Sequence, residues 1–98
     1  MAFIYITEYQ AMLKIEGGGL VPQEPPIAQQ TVANTGATTQ SAALNGGTQF
    51  VRIATDTVCS IEIGANPVAT TASRRMAANS EITVGARAGM KIAAILNT

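Results

Sequence analysis

Histidine and tryptophan are absent from this chain of 98 residues, and cysteine occurs once, as Cys59. Without histidine there is no Ser–His or Cys–His nucleophile pair, and the commonest metal ligand is missing. A lone cysteine closes no intrachain disulfide. Cys59 alternates with Ile61 and Ile63, which places it on an apolar strand face as an inert core thiol. The carboxylates Glu8, Glu16, Glu24, Asp56, Glu62 and Glu81 are scattered, and no two have the two-residue spacing that puts neighbours on one strand face. The stretch "EGGGLVP" (Glu16–Pro22) lacks the lysine and the following helix of a phosphate-cradling loop. No catalytic, metal-binding or cofactor-binding residue is assigned, and the chain reads as a protein that is not an enzyme.

Charge is also scarce. Only 12% of residues are charged and the formal net charge is zero. Phosphate contacts dominate nucleic-acid affinity and demand a basic excess, so a nucleic-acid partner is disfavoured. No run approaches the roughly 18 apolar residues of a membrane span. The opening "MAFIYITEYQ" has no basic segment, and Glu8 interrupts it early, so no signal peptide is expected and the chain reads as made in a cytoplasm. Aromatics are limited to Phe3, Tyr5, Tyr9 and Phe50. Alanine, valine and isoleucine supply most of the apolar content, and small side chains bury little area each. A thin core of this kind points to stabilisation by partners, most simply further copies of the chain.

What is present is strand text with turn punctuation. "AFIYIT" (Ala2–Thr7) alternates, as does "AMLKIE" (Ala11–Glu16), and no segment has convincing helical periodicity with caps. Gly17–Gly19, Pro22, Pro25 and Pro26 then mark residues 17–27 as an arm or loop without a core of its own. "AQQTVANT" and "TTQSAAL" flank a turn at Gly36, and "NGG" at Asn45–Gly47 is a further turn. "TQFVRIAT", "DTVCSIEIG", "EITVGA" and "MKIAAIL" complete the series. About eight short strands with no intervening helix imply one all-β domain over residues 1–98, a small antiparallel sandwich or small barrel. The last strand is apolar on both faces, so it is either central or covered by another subunit.

Two of the six positive charges, Arg74 and Arg75, stand side by side in "ANPVATTASRRMAANSE", which reads as a loop. The residues after Gln49 carry five cations (Arg52, Arg74, Arg75, Arg87, Lys91) against three acids (Asp56, Glu62, Glu81), a net +2. That excess is too weak for nucleic acid and adequate for orienting on an acidic protein surface. Arginine suits such a surface because its planar fork holds a carboxylate bidentately. The candidate protein-interface residues are therefore Arg74, Arg75 and Met76, together with Pro22, Pro25, Pro26 and Ile27 of the stiff arm.

"TQFVRIATDTVCSIEIGANPVATTASRRMAANSEITVGARAGMKIAAI" (Thr48–Ile95), with "IYITEY" and "EPPIAQQTVA" before it, resembles a family of small proteins of tailed bacteriophages. The most specific elements are Thr55-Asp56, Cys59-Ser60-Ile61, Gly64, Asn66-Pro67, Arg75-Met76, Ala78-Asn79 and Gly89. The resemblance implies a virion component with a jelly-roll-like β-sandwich, of the kind that decorates or cements capsids. It implies the major capsid protein and further copies of the chain, such as a trimer, as partners, with the protein on the capsid surface. It names no catalytic residue. A head–tail connector, tail or fibre-base subunit fits the same text, and so does a carbohydrate-binding host-attachment module.

Overall fold

The structure, a computed structural model, describes residues 3–10, 12–14, 20–22 and 26–97, the two short segments as backbone only. It is all-β. Chain order runs β1 (Phe3–Tyr9), β2 (Met12–Lys14), β3 (Leu20–Pro22), β4 (Ala28–Ala33), β5 (Thr39–Gln40), β6 (Phe50–Thr55), β7 (Cys59–Gly64), β8 (Arg74–Met76), β9 (Ser80–Gly85) and β10 (Lys91–Leu96). Two four-stranded antiparallel sheets, β4-β1-β6-β9 and β5-β10-β7-β8, make the sandwich, and β2 pairs with β3 as a separate hairpin. Within the stretch read as an arm, Leu20–Pro22 therefore pairs with Met12–Lys14. Gly17–Gly19 and Pro25 lie outside the described residues.

The strand order is that of a jelly roll. The pairs β7–β8, β6–β9, β5–β10 and β4–β1 form one long hairpin rolled into two sheets. In the usual order the last place belongs to a strand that follows β10, whereas here β1 fills it from the N-terminal side. Both described ends meet one turn. Asp56 caps Phe3 through its Oδ1 at 2.9 Å, and the Asn97 amide donates to the Val58 carbonyl at 3.2 Å.

Side-chain alternation explains the core. In the first sheet Ile4, Ile6, Val51 and Ile53 face inward, and their register partners Val32 and Ile82 continue the same face. In the second sheet Cys59, Ile61, Met76, Ile92 and Ala94 face them. Burial of Cys59 is complete, in keeping with an inert core thiol, and its Sγ lies 3.6 Å from Thr55 Oγ1.

The terminal strand β10 is central, between β5 and β7. Ala93, on its outer face, is as fully buried as Ile92 on its inner face. The cover comes from the chain itself, the long β7–β8 connection. Gln40 Nε2 holds Asn66 Oδ1 at 3.0 Å and the Pro67 carbonyl at 2.7 Å, Thr38 Oγ1 accepts from the Ala69 amide, and Asn97 Nδ2 donates to both Ser60 Oγ and the Thr71 carbonyl. These bonds pin the connection on both flanks of β10 and bury Pro67, Ala69 and Ser60.

Candidate interaction surface

The two long sides of the sandwich differ. On the β4–β5 side the sheets are laced together. Gln30 Oε1 accepts from the Ala42 amide at 3.0 Å, its Nε2 donates to the Ala42 carbonyl, and Thr35 accepts from the Leu96 amide. On the other side β9 ends the first sheet, β8 ends the second, and the outer edge of each has no strand partner among the described residues. Ile63, Ile82 and Val84 are only partly buried there.

The arginine pair lies on this open side, and in a strand where the sequence suggests a loop. Arg74 is opposite Ile61, Arg75 opposite Ser60 and Met76 opposite Cys59. Strand alternation sends the two guanidinium groups to opposite faces: Arg74 to the rim of the inner face, Arg75 to the outer face. Both are exposed, and among the described residues neither has an ion-pair or hydrogen-bond partner. The pair is thus not a convergent anion clamp. Met76, grouped with them as an interface candidate, is instead 3% exposed and part of the core, because it shares the inward face with Cys59.

The arm residues divide differently. Pro22 sits in β3 opposite Met12, and Pro26 is half-buried. Ile27 is exposed at its side chain while its amide donates to the Glu8 carbonyl at 2.8 Å, which ties the end of the arm to the sandwich.

β8 is shorter than β7. It covers Cys59–Ile61 and leaves the Glu62–Gly64 half of β7 without a strand partner on that side among the described residues, because the chain before Arg74 turns away through the Thr70–Ser73 hydrogen bonds. A hollow of about 350 Å³ results, lined by Ile61, Glu62, Ile63, Ala72, Ser73 and Arg74. Its accessible lining is mainly polar, and the half-buried Ile63 is the apolar side chain that it partly exposes.

Two further features emerge from tertiary placement. Glu8, which alternation alone puts on the inner face, is 1% exposed, and its carboxylate accepts from the Asn45 amide at 2.7 Å and the Thr48 hydroxyl at 2.9 Å. A buried carboxylate with three donors, the Asn45 amide, Asn45 Nδ2 and the Thr48 hydroxyl, holds the 45–48 turn to the sheet. On the outer face of the first sheet, Arg52 and Glu81 form a two-pronged ion pair at 2.6 and 3.0 Å. The hydrogen bond from Arg52 lowers the Glu81 carboxyl below its ordinary range, and the same bond raises the Arg52 guanidinium.

Of the aromatics, Tyr9 and Phe50 stack at 5.2 Å and are buried. Tyr5 is 45% exposed. It lies between a hollow of about 470 Å³ bordered by Ala54, Asp56, Asn79 and Glu81 and another of about 410 Å³ bordered by Thr7, Gln29 and Thr31. Among the described residues no group of three His, Cys, Asp or Glu side chains is placed to hold a metal ion, and no helix is long and apolar enough to cross a membrane. No family model matches this chain, no curated protein matches it, and no solved structure matches it.

Proposed function

We propose that this chain is a structural virion protein of a tailed bacteriophage, a capsid decoration or cement protein that bridges subunits of the major capsid protein. It would be made in the host cytoplasm, act as a homo-oligomer and lie on the capsid surface. The resemblance of Thr48–Ile95 to small phage proteins supports the reading. The structural observation that carries it is the asymmetry of the sandwich: one side is laced by Gln30 and Ala42, while the other ends in β8 and β9, where Arg74 and Arg75 are exposed and have no ion-pair partner among the described residues. Rigid small sandwiches with an open, charged edge suit adhesion over a broad surface. Quantitative mass spectrometry of purified particles tests the reading. A copy number comparable to that of the major capsid protein supports decoration. A handful of copies moves the chain to the neck, tail or fibre base, and absence from particles removes the virion reading altogether.

A second reading has its own observation. Exposed Tyr5, flanked by hollows carrying Gln29, Asn79 and Asp56, offers an aromatic face and amide groups of the kind that hold a sugar ring. Specific binding of host surface saccharides by the isolated chain, lost in Tyr5→Ala, would favour a host-attachment module.

A further inference from the structure

We infer that the free edge of β8 takes up an extended acidic segment of a partner protein as an added strand. The inference deepens the adhesive reading above and names the mode of attachment, and it rests on that reading only for the identity of the partner. An edge strand offers unpaired backbone donors and acceptors, and a peptide of matching register satisfies them. On the opposite side the Gln30–Ala42 bonds tie the two sheets together. β8 is a sheet end without a further strand partner among the described residues, and its two cations deter neutral or basic strands while favouring an acidic one.

Charge complementarity defines the occupant. Arg74 and Arg75 are consecutive strand residues, so a strand laid beside β8 presents consecutive residues to them, one on each face. Two adjacent acidic residues meet both guanidinium groups, each of which can hold a carboxylate in its fork. A second copy of this chain joined through β8 would set four arginines together around the axis, which like-charge repulsion opposes. For an antiparallel addition, the residue two places beyond the one facing Arg74 lies on the same inner face, toward the hollow that the half-buried Ile63 borders. An aliphatic side chain there covers the unpaired half of β7. The segment is therefore acid–acid–any–aliphatic, in extended form. Glu62 also borders the hollow, but alternation puts its carboxylate on the outer face, so it disfavours an acid beside Arg75 more than one beside Arg74.

The test uses the whole chain and the acetylated, amidated hexapeptide TDDTVT, with TKKTVT as its charge-reversed counterpart. Amide shifts are followed by NMR during titration. The expected result is a shift confined to residues 60–63 and 73–76, half-saturation near about 1 mM at low salt, and weakening by about fivefold in concentrated salt. The TKKTVT peptide should bind at least about tenfold more weakly. The double variant Arg74→Glu with Arg75→Glu should reverse that preference, and Arg74→Lys with Arg75→Lys should keep it. Both positions are exposed, so these variants should fold like the parent, and unchanged amide spectra elsewhere would verify it. Equal binding of the two peptides, shifts centred on Tyr5, no shift up to about 5 mM peptide, or concentration-dependent closure of the edge by a second copy would each overturn the inference. Peptide binding by a chain absent from virions would overturn the phage reading and leave the edge intact; the reverse combination would do the opposite.

Discussion

Glu8 and Glu81 show how two residues of one type take opposite roles. Glu8 is sealed inside the sandwich and satisfies the Asn45 amide and the Thr48 hydroxyl. Glu8→Ala leaves those donors without their acceptor and should cost about 2–4 kcal/mol. Glu8→Gln, which keeps one oxygen, should cost less. Urea unfolding at constant slope measures both. Glu81 and Arg52 are both exposed side chains, so their pair has a small effect that salt screens. The sign of its pH dependence still follows. The folded carboxyl is lowered by Arg52, so any stabilisation is present above the ordinary carboxylate range and is lost as pH falls through the lowered value. Comparing the parent with Glu81→Gln in thermal melts between pH 7 and strongly acid conditions should show a gap that closes on acidification and in high salt.

At the scale of elements, alternation made most strands legible. "FVRIAT", "CSIEIG", "EITVG" and "KIAAIL" are strands where their period of two says they are. β8 was not legible. Its two arginines read as solvated loop, because a three-residue edge strand has no periodicity of its own and exists only because β7 offers a ladder opposite Cys59–Ile61. The sequence of β10 left two alternatives, and the structure decides between them: the strand is central, and the cover on its outer face is the chain's own β7–β8 connection. Its cover is tight, so Ala93→Leu should cost about 1–3 kcal/mol by overpacking. Asn97→Ala, which releases Ser60 and Thr71, should loosen the connection instead. Faster amide exchange at residues 66–72, with the rest of the sandwich unchanged, is the outcome that checks it.

For the whole molecule, the position of β1 is the informative feature. A jelly roll is normally closed by its last strand, and here the first strand does it. Phe3 and Asn97 both contact the Asp56–Val58 turn, so a short linker between the ends costs little chain entropy. A circular permutant that starts at Glu24, runs through a flexible linker after Thr98 into Met1, and ends at Gln23 should recover the usual jelly-roll order. It should fold with the same β-type circular dichroism and a melting temperature within about 10 °C of the parent. A permutant that stays unfolded would show that entry of β1 before β4 is needed for the roll to form.

The residues by themselves determined the class of fold, the apolar faces, the burial of Cys59 and the lack of histidine, because these depend on side-chain type and a local period of two. They did not determine which side of the sandwich stays open, that Arg74 and Arg75 point to opposite faces of an edge, or that Met76 turns inward. Nor did they reveal that Glu8 is sealed against the 45–48 turn. Each of those depends on which strands become neighbours, and pairing between residues 13 to 37 positions apart is decided by the packing of the two sheets, not by any local pattern.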